Sequence, residues 1–397
     1  MVGAGIVGLA TALHILGEQP GLSVLVVDKE PQVGAHQTSH NSGVIHRGIY
    51  YAPGSLKAQL CVEGARRLTA FCDERAIPYR LIGKLIVASD ESELPALREL
   101  QRRGEANGVP GLRWLEANEI REIEPHAVGV AALHSPETGI VDFGAVVKAY
   151  AAEVELRGGT IRLAARVTAL QERRDHVEVM ARDEVLRAGM VVTCAGLHSD
   201  RLAAMTEPGS ERELRIVPFR GDYYFLRPSR ARLVRGLIYP VPDSRFPFLG
   251  VHFTPRMDGR VWLGPNAVLA FAREGYRLTD ISPGDLGATL AFPGFWRLAA
   301  RYWRTGAAEM WRDLSRRAFA RALQRHVPTL RTDDLVGHFS GVRAQAVAAD
   351  GSLVDDFTIT GRGRVVHVRN APSPAATSSL AIGDVIGTRV LERLSKN

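Results

Sequence analysis

Gly3-Ala4-Gly5-Ile6-Val7-Gly8 is followed, one helix-length later, by the apolar run Val24-Leu25-Val26-Val27 and then Asp28. In a G-x-G-x-x-G turn, the first glycine permits a tight bend after a strand. The second lets backbone approach a pyrophosphate, and the third lets the next helix lie close to the sheet. Here those are Gly3, Gly5 and Gly8, with the helix predicted from about Val7 to Leu16. Its N-terminus, with free N–H groups and the positive end of the helix dipole, suits an anion. Asp28 stands twenty residues beyond Gly8, the distance at which an acid meets an adenosine ribose. The glycines alone are weak evidence. With a β-branched strand ending in an acid at this spacing, they specify an adenine dinucleotide and an α/β, Rossmann-like domain. Only Met1 and Val2 precede Gly3, whereas such a central strand usually has about five residues. A stub that loses ladder bonds on both sides, with a weakened hold on the cofactor, is therefore expected.

Behind the fingerprint, His36 to Tyr51 reads HQTSHNSGVIHRGIYY. Ser, Thr, Asn, His and Gly crowd this loop, which suits a flavin better than a nicotinamide, because a flavin needs close backbone approach and many small polar contacts. A chain of 397 residues with 46% hydrophobic and 23% charged residues has the profile of a soluble globular enzyme of two or three domains. Cys61, Cys72 and Cys194 are too widely spaced for a metal site or a disulfide framework, so a reducing, cytoplasmic setting is expected. No apolar run is long enough to span a membrane, and no targeting segment is read before the fingerprint.

The net charge of +7 is concentrated. Gly294 to Thr329 holds eight arginines against two acids, with Trp296, Trp303 and Trp311 at intervals of seven and eight. That is helical spacing. Such a stripe either packs inward, leaving the arginines as a solvated face, or lies on an anionic membrane as a peripheral contact. Nucleic acid is not the expected partner, because the arginines alternate with tryptophan at helical intervals in a protein built around a cofactor.

The periodicity predicts helices over 55–74, 91–107, 116–123 and 143–157, strands over 84–89 and 160–194, and a strand-rich stretch over 214–266. This layout divides the chain into a discontinuous FAD-binding domain (1–80, 143–213 and 335–397) and a substrate-binding cap with a mixed or antiparallel sheet (81–142 and 214–334). The basic helices at 294–329 belong to the cap.

Six segments, in order, carry a resemblance. They are HQTSHNSGVIHRGIYY, PFRGDYY at 218–224, LGVHFT at 249–254, GPNAVLAFAREGY at 264–276, GVRAQAVAADGSLVDDF at 341–357 and NAPSPAATSSLAIG at 370–383. With them the whole chain resembles the D-amino-acid-oxidase-like flavoproteins, and among these the branch that oxidises L-2-hydroxyglutarate. Ser39 departs from the pattern, which has glycine there. The resemblance implies FAD as cofactor and oxidation of L-2-hydroxyglutarate to 2-oxoglutarate by hydride transfer from C2 to flavin N5. Electrons would pass to a quinone or another acceptor, with O2 as the slower alternative. An amine oxidase of the glycine or sarcosine type, a glycerol-3-phosphate oxidising enzyme, and a flavoprotein that has lost activity are the rival readings.

A dicarboxylate 2-hydroxy acid needs a carboxylate clamp and a base. Arginine's planar fork suits the first task, and the resemblance points to Arg343. Histidine suits the second. The candidates are His46, in the flavin loop, and His252, whose strand alternation turns it away from Val251 and Phe253. Tyr239 resembles a tyrosine lining the substrate cavity in relatives. The distal carboxylate could meet Lys57, Arg47, Asn266 or Arg220. For FAD, the resemblance assigns Gly3, Gly5, Gly8 and Asp28 to the adenosine half. It places Thr38, Ser39, His40, Asn41, Ser42 and Gly43 along the pyrophosphate, ribityl chain and ring edge. Val167 would meet the adenine, Ala195 and Gly196 the ribose-phosphate side, and Ser373, Ala375, Ala376 and Thr377 the flavin O2 end.

Overall fold

The computed structural model describes residues 1–242 and 250–396. Leu249, the first residue of LGVHFT, lies outside them.

The nucleotide-binding layer is assembled around the two-residue stub. Leu25–Val27 runs parallel to Thr160–Arg162, and Val191–Thr193 runs parallel to Val365–Asn370. Val2 bridges both pairs, to Val27 on one side and Thr193 on the other. Val2 N–H donates to Val192 O at 2.7 Å and Cys194 N–H to Val2 O at 2.7 Å. On the other flank, Gly3 N–H donates to Val27 O at 2.8 Å and Val27 N–H to Met1 O at 2.9 Å. The stub is short, as expected, yet it is bonded along both edges. The helix Ile6–Glu18 follows at once and buries Leu9, Ala12, Leu13 and Leu16. It packs on Phe143–Leu156 and Ser379–Leu394. A Cβ at Gly383 would lie 2.7 Å from the Ala10 backbone, so glycine sets how closely the first and last helices approach.

The second layer is a large mixed sheet, of nine strands among the described residues. Lys84–Ala88 runs parallel to Leu237–Pro240. From there the sheet continues through His252–Pro255 and Val261–Gly264 to the long strand Leu214–Leu226. On its other side lie Ala131–Ser135 and Arg113–Glu116. Leu335–Ala348 pairs with Leu214–Leu226 along nearly its whole length. This pairing attaches the strand to the large sheet, although 335 was the expected start of the last nucleotide-binding segment. An alternating strand reads the same whichever sheet it joins, so the pattern could not choose between them. We propose a division in which 335–348 goes with 81–142 and 214–334. The two parts are also stitched together where Gly139–Val141 pairs with both Val44–Ile45 and Tyr79–Leu81.

The basic region forms Pro293–Leu314, bent at Tyr302, and Arg316–Gln324. Leu298 and Phe292 face Val217 and Val347 of the large sheet. Trp296, Trp303 and Trp311 are 57%, 63% and 65% exposed, so the tryptophan stripe points outward and is not core.

Candidate active site

One continuous cavity of about 1210 Å³ runs from Gly3, Gly5 and Asp28 to His46, Tyr239, His252 and Arg343. At its first end the backbone is packed too tightly for side chains. Gly3 has φ +111°, and a Cβ there would lie 2.3 Å from Cys194 O. A Cβ on Gly8 would lie 2.1 Å from Gly3 O. Gly8 is thus a packing residue beneath the cavity. Gly5 differs: a Cβ there would meet only Thr38 Oγ1, at 3.5 Å. The space above Gly5 opens into the cavity at the N-terminus of Ile6–Glu18, which is the cradle a pyrophosphate requires. Asp28 accepts one hydrogen bond on each oxygen, from Ala4 N–H at 2.7 Å and Glu30 N–H at 2.9 Å. Each oxygen keeps a lone pair for a ribose hydroxyl. Val167, Ala195 and Gly196 line the same end. The residues present fit an adenine dinucleotide.

Around this end an ionic cluster ties the nucleotide layer to the loop that carries Tyr276. Lys29 and His198 lie 2.6 and 2.8 Å from Glu274, and His36 Nδ1 lies 2.8 Å from Tyr276 Oη. Burial pushes the Glu274 carboxyl up, but hydrogen bonds from His198 and Lys29 outweigh it and hold the group well below the usual range.

The flavin loop is pinned by Asn41, whose Nδ2 donates to Thr38 O at 2.6 Å and whose Oδ1 accepts from Gly43 N–H at 2.7 Å. Thr38, His40, Asn41 and Ser42 line the cavity. Ser39 and Gly43 do not: Ser39 is exposed, and Gly43, at φ +71°, fits beneath Arg256. Both serve the loop's shape, because alternate residues of a tight loop cannot all face one side. The loop crosses the large sheet at Gly341, where a Cβ would lie 2.3 Å from His40 O. That close crossing brings Arg343, two residues on, to the cavity wall. From the opposite side, Ser373, Ala375, Ala376 and Thr377 close the cavity. Thr377 Oγ1 accepts from His46 N–H at 3.2 Å and donates to Val44 O at 3.2 Å.

His252 stands opposite Tyr239 across paired strands, as the register Ile238↔Phe253 requires. Their rings stack at 3.7 Å. Val251 and Phe253 point to the core on the other face, as alternation predicts. His252 Nδ1 lies 2.8 Å from Gly250 O. A carbonyl only accepts, so Nδ1 carries the hydrogen and Nε2 keeps its lone pair. Burial lowers the His252 imidazole to about 3. Burial, followed by the neighbouring Lys84, His252 and Lys57, also drives His46 well below its ordinary value. Both histidines are neutral at pH 7. Tyr239 and Tyr50 are pushed up by burial and stay protonated.

Of the four groups proposed for a distal carboxylate, only Lys57 lines the cavity. Arg220 is held by Asp222 at 2.8 Å and Asp313 at 3.0 Å, and Asn266 by Asp313 at 2.7 Å. Arg47 donates to Glu137 O at 2.8 Å. Buried cations and amides must find partners locally, and which ones had was not readable from residue order alone. Lys84 went unremarked in the sequence. The signal was available: a lysine opening the otherwise apolar strand Lys84-Leu85-Ile86-Val87-Ala88, all of which is buried.

The family model described as FAD dependent oxidoreductase (DAO) matches residues 1–389. This chain belongs to the DAO family of FAD-dependent oxidoreductases. An L-2-hydroxyglutarate dehydrogenase, mitochondrial, from Nematostella vectensis is 50% identical, over 100% of this chain and 90% of its own length. The L-2-hydroxyglutarate dehydrogenase of Indibacter alkaliphilus is 45% identical over 99% of this chain and 98% of its own length. The human mitochondrial protein of that name is 46% identical over 99% and 88%. Among solved structures, the FAD-bound L-alpha-glycerophosphate oxidase of Mycoplasma pneumoniae aligns with a TM-score of 0.78 at 23% identity, covering 98% of this chain and 93% of that one. Glycine oxidase from Geobacillus kaustophilus aligns at 0.71 and 18% identity, covering 100% and 94%. These two share the fold.

Proposed function

We propose that this protein oxidises L-2-hydroxyglutarate to 2-oxoglutarate. The observation that carries the reading is a histidine of fixed tautomer, His252, sharing the far end of a flavin-sized cavity with Arg343. The names of relatives at 45–50% identity support the substrate. Arg343 would take the C1 carboxylate in its two-pronged grip. His252 Nε2 would remove the hydroxyl proton, with Gly250 O and the Tyr239 ring holding the imidazole in place. FAD, when bound, supplies the hydride acceptor. Lys57 would meet the distal carboxylate. Lys57 is itself buried and now donates to the Asp355 carboxylate at 2.8 Å and to Asp355 O at 2.9 Å, but the Asp355 side chain is 89% exposed, so water can take up that carboxylate when a substrate carboxylate replaces it. A phosphate ester would want more cations at the site, yet Arg47 and Arg220 are engaged elsewhere. The reading is tested by whether L-2-hydroxyglutarate, without oxygen, bleaches the bound flavin.

Electrons would leave to a quinone or to O2, and we propose that the outward tryptophan stripe rests on an anionic membrane as a peripheral contact. No helix among the described residues is long and apolar enough to cross a membrane. Trp303 and Trp311 are exposed beside Arg301, Arg304 and Arg317, pairing aromatic anchors with cations that attract anionic headgroups. The protein should sediment with anionic vesicles at low salt and be released at high salt, and the double variant Trp303→Ala, Arg304→Glu should lose most of that binding. Unchanged sedimentation of the variant contradicts the contact.

A further inference from the structure

Lys84 opens a strand whose five residues are all buried, and is itself 2% exposed. Its Nζ lies 4.2 Å from the centre of the Tyr239 ring and 5.1 Å from that of Tyr50. The geometry follows from register: Lys84 pairs with Leu237, and Tyr239 is the next residue on the same face. Tyr50 and Tyr239 both line the cavity, so Lys84 sits behind its wall. No carboxylate among the described residues stands within ion-pair distance of Lys84. The titratable groups that feel it come from three elements: His46 from the flavin loop, Cys61 from the helix Leu56–Glu74, and His252 from the strand beyond Tyr239. Lys57, on that same helix, adds a second cation.

Among the described residues, this buried ammonium faces ring faces, neutral imidazoles and a thiol, and no anion. The proposed substrate brings two. Resting on the functional reading above, we propose that Lys84 is a positioning residue that takes up a proton as a dicarboxylate enters the cavity, supplying the positive charge that holds the dianion.

Burial lowers the Lys84 amine from 10.5 to about 7, an effect that Cys61 partly offsets. Near pH 8 the empty site therefore holds Lys84 mostly neutral. A dianion nearby favours the charged form and restores the proton. By linkage, binding that takes up a proton weakens as pH rises above 7, approaching about tenfold per pH unit for one full proton. The same shift has a stability consequence of fixed sign. The unfolded chain keeps the lysine charged up to its ordinary value, so between about 7 and 10.5 it binds more protons than the folded chain. This group's contribution to stability therefore rises with pH across that window.

The test is calorimetry of 2-oxoglutarate binding to the oxidised holoenzyme at pH 8, in two buffers of different ionisation heat. Wild type should take up close to one proton per site. Lys84→Met should bind more weakly with no uptake. Lys84→Arg, charged throughout, should bind without uptake and without the pH dependence above 7, which separates lost charge from lost packing. Proton uptake that persists in both variants overturns the proposal, as does wild-type binding without uptake. Failure of wild type to bind any dicarboxylate overturns the functional reading along with it.

Discussion

Gly5→Val protein is expected to fold and to purify without yellow colour. Gly5 caps the first helix at φ −78° and ψ 175°, a conformation any residue adopts, so a side chain there adds no backbone strain. Its Cβ would meet only Thr38 Oγ1, at 3.5 Å. The isopropyl group would then stand in the space the pyrophosphate needs against the helix N-terminus. Losing that approach should weaken FAD by on the order of 100-fold, about 2.7 kcal/mol. Thermal unfolding of the apoprotein should shift little, whereas visible absorbance should nearly vanish. Gly3→Val is the informative contrast. At φ +111° with Cys194 O only 2.3 Å from the new Cβ, it should fail to fold. A yellow Gly5→Val protein would place the pyrophosphate elsewhere.

His252→Gln should lower kcat by about 10²- to 10⁴-fold, the usual contribution of a general base, and leave KM within a few-fold. Glutamine keeps a donor for Gly250 O and nearly fills the space beside Tyr239, so retained FAD and retained stability would mark the loss as chemical. His46→Gln should cost less: a hydrogen bond to Thr377 is made by the His46 backbone, not its ring, so the substitution leaves that tie in place. A larger loss at His46 than at His252 would transfer the role.

The fold was legible where local rules govern it. Gly3, Gly5, Gly8 and Asp28 announced the nucleotide layer because the tight turn at Gly3 and the close packing at Gly8 admit only glycine, while Gly5 leaves the helix N-terminus open to a pyrophosphate and Asp28 supplies a ribose acceptor. The helices at 56–74 and 143–156 followed from their apolar period, and the structure caps them with the Ser55 and Asp142 side chains. Pairing partners were not legible. Nothing in the alternation of 335–348 says that it joins Leu214–Leu226 rather than the nucleotide layer. The candidate site divided the same way. His252 could be turned toward the cavity by counting residues along a strand. Which cations remained available could not be counted, because Arg220 and Asn266 are claimed by Asp313, a residue 47 or more positions away on a helix. Lys84 was marked as unusual by its apolar neighbours in sequence, but its surroundings were not legible, because only the fold brings Tyr50, His46 and His252 around it.

The most direct test of the account is anaerobic titration of the purified yellow protein, followed at the flavin band near about 450 nm, with L-2-hydroxyglutarate, then the D-isomer, then sarcosine. Complete bleaching by the L-acid, with no change from the other two, is the predicted result. Bleaching by sarcosine or by the D-acid, with the L-acid inert, would contradict it.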